Sequence, residues 1–267
     1  MVIIKQHFVP KFYLKNFSKN NHILYVYDRE LQKSITSNVF DIATKKYFYD
    51  LKALDDIGQK QTLEILLSSL ETEHSKALKS FLKNLWKGNS GLEVIGLKTL
   101  LSEFIILLFT RTPSAFERSH KLVKEIDKGI LEKQWFSKEW IGFSAQFKAL
   151  EQFAFEFNNV EEKSYIFHKK IWIVWENNTD KPFITSDNPV VGYFEPSENG
   201  YEMYFPISPK FSLSLYDKEK YSNYSDLDGR IVQIDEEHVL YCNDLIYKSA
   251  KKQCFSIDNN FDYLIKE

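Results

Sequence analysis

Residues 165–175 read Tyr-Ile-Phe-His-Lys-Lys-Ile-Trp-Ile-Val-Trp, and here the hydrophobic pattern of the chain changes period. Upstream, apolar residues recur every three or four positions. From here on they alternate or run continuously through β-branched and aromatic side chains, which suit a pleated, half-buried surface. The run predicts a strand over 165–175. Further strands are expected over 182–186, 201–205, 211–216 and 230–234, with a return strand over 253–257. Asp235 is a suitable N-cap, and Glu236 and Glu237 favour the first turn of a helix expected over 238–252.

Working upstream, Leu63, Leu67, Leu70, Leu78, Phe81 and Leu85 keep helical spacing within a long amphipathic helix expected over 59–87, closed by Gly88-Asn89. A second helix, over 92–110, is apolar nearly all round, as a helix in mid-core must be, and Pro113 should end it near Arg111. Two more helices are expected over 117–133 and 140–157. In the first fifty residues, strands are expected over 22–27 and 45–49, and Pro10 opens a short helix over 11–17. The fold class is therefore α+β: a mixed or antiparallel sheet built from N- and C-terminal strands, with a central helical lobe. We expect one domain, residues 1–267, with a helical sub-lobe about 57–158 between β-rich parts 1–56 and 159–267.

The composition agrees with a packed core. The 9 Gly and 7 Pro in 267 residues are well below the roughly 19 and 13 of average usage, which excludes a low-complexity chain. Aromatics at 16% supply ample apolar surface to bury. A net charge of −2 gathers no polyanion globally, so nucleic acid would have to be met by a local patch. Cys242 and Cys254 cannot build a disulfide framework and are expected as free, buried thiols, in keeping with a reducing cytoplasm. The longest apolar stretch, residues 104–109, is far shorter than the ~20 residues that span a bilayer.

Two segments stand out chemically: QHFVPKFYLKNF at 6–17 and PFITSDNPVV at 182–191, joined by RTP at 111–113 and FPISP at 205–209. Together they resemble a prokaryotic family known as domain of unknown function 4238, over nearly the whole chain. The matching positions are His7, Pro10, Tyr13, Leu14 and Phe17, then Thr185, Ser186, Asp187, Asn188 and Pro189. The resemblance implies no established reaction. Some members look like components of mobile-element or phage-defence loci, which points by association toward a nuclease.

Each polar residue in these segments has two readings. His7 precedes a helix start, where an imidazole can bond through one nitrogen and keep the other for a substrate; otherwise it packs. Asp187 and Asn188 stand at a strand end, placed to bind a metal or orient a base, or else to close an Asx-type turn. Arg111, at the break of the central helix, can grip a phosphate or pair with a carboxylate. Glu64 and Glu71, seven residues apart on one helical face, could share a divalent cation with Asp187, or form a solvated face. Glu71-x-x-His74 occurs once, whereas di-metal bundles need the motif twice. There is no Gly-x-Ser-x-Gly elbow, Walker loop or Gly-x-Gly-x-x-Gly turn.

The expected function is a phosphodiester hydrolase, a nuclease effector or toxin-like protein. His7 would be its general acid/base, Arg111 would hold the phosphate, and Asp187 with Asn188 would complete the site, with Glu71 and Asp187 as candidate Mg²⁺ ligands. The alternative is a non-catalytic ligand- or partner-binding module in which the same residues form a structural polar cluster.

Overall fold

The computed structural model describes residues 2–50, 61–115, 117, 167–192 and 202–264. Apart from Glu117, the helices expected over 117–133 and 140–157 lie outside the described residues. The elements are β1 (Lys5–His7), α1 (Lys11–Leu14) with a 3₁₀ turn Lys15–Phe17, β2 (Ile23–Asp28), β3 (Lys33–Asn38) and β4 (Thr44–Lys46). There follow α2 (Thr62–Leu85), α3 (Ile95–Thr110), β5 (Ile171–Asn177), β6 (Thr185–Ser186) and β7 (Val191–Gly192). The chain continues through β8 (Glu202–Pro206), β9 (Phe211–Tyr216), β10 (Ile231–Ile234), α4 (Glu236–Ser249) and β11 (Gln253–Ser256). The fold class is α+β.

A four-stranded antiparallel sheet runs β3-β2-β11-β6, so its middle pair joins the N-terminal strand Ile23–Asp28 to the C-terminal strand Gln253–Ser256. A five-stranded sheet runs β10-β5-β9-β8-β7, antiparallel except where β10 lies parallel to β5. A small ladder pairs β1 with β4.

The continuous apolar run of β5 is explained by burial on both faces. Trp172 and Val174 enter one cluster with Phe81 of α2, Phe104 of α3 and Phe205 of β8. Ile171, Ile173 and Trp175 enter a second with Val239, Cys242 and Ile246 of α4. β2 divides the same way, Leu24 and Val26 to the first cluster and Tyr27 to the second. The sheets therefore form a middle layer, with α2 and α3 on one side and α4 on the other.

Four local expectations are corrected. β5 begins at Ile171, because residues 167–170 close a turn in which Lys170 N–H donates to the Phe167 carbonyl at 3.0 Å. The strand expected over 45–49 is the short β4, and Tyr47 takes a left-handed backbone, φ 52°, that turns the chain. The helix expected to reach 252 ends at Ser249. β1 and β3 were not expected, since Lys33–Asn38 is a polar, mostly exposed edge strand without hydrophobic alternation.

Candidate functional site

Strand alternation positions the first half of the site. On β1, Gln6 points inward and is fully buried, while its neighbour His7 is half-buried on the other side. Gln6 Nε2 donates to Asp50 Oδ1 at 2.5 Å, and its Oε1 accepts from Tyr49 N–H at 2.6 Å. This turn places the buried Tyr49 ring against the end of α3.

Arg111 is the C-cap of α3, and its side chain is 4% exposed. Its Nε donates to Tyr49 Oη at 3.1 Å, Nη1 to Glu71 Oε1 at 2.9 Å, and Nη2 to the His7 carbonyl at 2.6 Å. Burial alone would lower its pKa, but Tyr49 and Glu71 outweigh that, and the guanidinium is held charged above its ordinary value. The Tyr49 hydroxyl is pushed up to about 12 by burial. His7 Nε2 lies 3.3 Å from the Val39 carbonyl, and burial aided by the Lys11 and Arg111 charges lowers its pKa to about 4. Glu64 is raised by burial and by the charges of Glu71 and Asp50, against the pull of Arg111. His7, Arg111 and Glu71 therefore come together.

Asp187 and Asn188 are committed elsewhere. α4 ends with Ala250 in extended geometry, leaving the following N–H groups without helical partners. Asp187 Oδ1 accepts from Lys251 N–H at 2.8 Å, and Oδ2 from Lys252 and Gln253 N–H at 2.8 and 3.1 Å. Burial raises the pKa of this carboxyl against those three donors. Asn188 Oδ1 accepts from Thr112 Oγ1 at 3.1 Å, and its Nδ2 donates to Ser249 O and Oγ at 3.1 and 2.7 Å. The pair Arg111-Thr112 thus reaches the β1 strand with one side chain and the Asp187-Asn188 turn with the other.

The N-terminal motif meets the late motif directly as well. Tyr13 Oη lies 2.7 Å from Thr185 Oγ1 and donates to the Pro206 carbonyl at 2.8 Å, with its ring stacked on Phe205 at 5.2 Å. Sequence reasoning assigned no role to Gln6, Tyr49, Thr112 or Ser249. Thr112 stood within the quoted RTP run and Gln6 at the head of the first motif, so position was their only signal.

For metal binding, Glu71 faces Arg111, and Asp187 faces the backbone of residues 251–253. Among the described residues no group of three or more His, Cys, Asp and Glu side chains is arranged to hold an ion. An outside ligand that took a donor of Arg111 or an acceptor of Asp187 would have to replace the hydrogen bond it displaced.

A family model described as "Protein of unknown function (DUF4238)" matches residues 5–260. No match was found among curated proteins or among solved structures.

Proposed function

The chain belongs to the DUF4238 family, whose matched stretch takes in His7, Arg111, Asp187 and Asn188 alike, and we propose that these residues brace a non-catalytic ligand- or partner-binding module. One observation carries this reading: the buried charged groups, Arg111 and Asp187, are already satisfied by the protein itself. Arg111 gives a hydrogen bond from each of its three nitrogens, and Asp187 accepts three backbone N–H groups. Removing either leaves buried partners orphaned, which costs about 3 kcal/mol.

The test pairs activity with stability. Labelled RNA and DNA incubated with the protein in Mg²⁺, Mn²⁺ or chelator are expected to stay intact. Arg111→Ala and Asp187→Ala are each expected to lower Tm by about 6–12 °C. Metal-dependent cleavage lost in His7→Ala at unchanged Tm would overturn the reading.

That outcome would instead favour a phosphodiester hydrolase, which has one observation in its support. The second ring nitrogen of His7 makes no hydrogen bond among the described residues, and the low pKa keeps this imidazole neutral and able to accept a proton. Arg111 and Glu71 would then position the strand that carries it. Against this, a base that weak removes protons poorly near neutral pH.

A further inference from the structure

Charge is distributed unevenly along this chain. Its first 50 residues hold eight Lys and Arg against four Asp and Glu, net +4 in a chain of net −2, so residues 51–267 carry −6. The four acids of this segment are engaged: Asp28 and Glu30 face Lys252, Asp41 binds Lys5 at 2.6 Å, and Asp50 accepts from the Gln6 and Gln61 amides. Lys11, Lys15 and Lys19 make no ion pair among the described residues. Glu64 is an acid whose field reaches Lys11.

Lys11 and Lys15 lie four residues apart along α1 and the 3₁₀ turn after it, which places them on one side, and Lys19 follows beyond the extended Ser18. They surround aromatic rings rather than carboxylates. Phe40 is 43% exposed, and His22 stacks on it with centroids 5.8 Å apart and planes at 28°. Lys11 and Lys15 each hold Nζ 5.7 Å from the Phe40 centroid, and Lys19 holds its own 4.9 Å from that of Tyr25.

Ammonium groups with no ion pair among the described residues, set beside aromatic rings, are what a single-stranded nucleic acid requires: cations for successive phosphates and a π-face for an unpaired base. We propose that this N-terminal face binds single-stranded nucleic acid, with phosphates on Lys11, Lys15 and Lys19 and a base against the His22–Phe40 stack. A lipid surface would use the charges and bury the exposed Phe40 ring, but only by drawing the polar His22 imidazole stacked on it out of water, whereas a base can stack on the pair as it stands; an acidic peptide would not need the rings. The proposal goes beyond the module reading and stands on other residues. Strand cleavage would sink the former reading, whereas failure to bind would sink this one.

The experiment is fluorescence anisotropy with labelled oligo-U and oligo-dT of about 12 nucleotides, across a salt series, with anionic phosphatidylserine vesicles as a separate arm. Wild type is expected to bind at about 50 mM salt, with a log–log salt slope of roughly −2 for three phosphates on a single strand. The triple variant Lys11→Gln, Lys15→Gln, Lys19→Gln should lose most of that slope. Phe40→Ala should weaken binding about five-fold or more while keeping the slope. Lys248→Gln, which removes a charge on α4, should change neither. The oligo-U and oligo-dT arms separate RNA from DNA as the ligand. No binding, binding unaltered in the triple and Phe40 variants, or vesicle binding without oligonucleotide binding would each overturn the proposal, with Tm measured on every variant to confirm folding.

Discussion

His7 shows how one imidazole is set by its neighbours. Burial and the nearby Lys11 and Arg111 charges lower its pKa from 6.5 to about 4, so the folded protein keeps it neutral where the unfolded chain would take up a proton. The contribution is therefore full above pH 6.5 and is lost as pH falls from 6.5 toward 4; allowing for partial exposure it is of order 2 kcal/mol. Urea midpoints measured at pH 7 and 4.5 are expected to fall less in His7→Gln than in wild type. Equal falls would remove His7 from the acid response. At this same scale the motifs exposed His7, Arg111, Asp187 and Asn188 in the sequence, but not their partners. Arg111 reaches Glu71 40 positions away and the His7 carbonyl 104 away, and no local pattern encodes such pairings.

Among the elements, α3 ties the N-terminal motif to the five-stranded sheet through a single ring. Phe104 meets Phe12, Tyr13 and Phe205 with centroids 5.2, 6.1 and 5.9 Å away, so one ring joins the central helix to the N-terminal motif and to β8. Phe104→Ala is expected to cost about 3–5 kcal/mol, read as a lowered urea midpoint at unchanged m-value. A cost below ~1 kcal/mol would show that the junction collapses around the gap. The helices were legible because 3.6-residue periodicity is strong in α2, and because α3 is apolar all round. β9 was legible to the residue, since Phe211–Tyr216 alternates apolar residues with Ser212 and Ser214 and is bounded by turns. β3 was not, because an edge strand needs no apolar face and Lys33–Asn38 offers none. The end of α4 was misplaced for another reason: its last expected turn is dissolved by Asp187, which takes the N–H groups of residues 251–253 from a distant segment.

Over the whole molecule, the middle layer of sheet buries both cysteines. Cys242 is 2% and Cys254 0% exposed; burial pushes the first thiol up to about 12 and the second higher. Thiolate is scarce in both, so a thiol reagent is expected to find no reactive group in the native protein and two after denaturation. Rapid native labelling would show that the layer opens. Composition and periodicity were enough to determine an α+β chain with buried free thiols, no apolar stretch of membrane-spanning length, and a family recognisable from its motifs, because those properties are written within a few consecutive residues. Only the tertiary structure decided that Arg111 and Thr112 clasp two separate motif segments, that Asp187 is spent on the α4–β11 turn, and that Lys11 and Lys15 meet at the exposed Phe40 ring while Lys19 lies over Tyr25. Side-chain partnership is fixed by where distant segments pack, and burial then determines which polar groups must be satisfied internally and which remain free for a ligand.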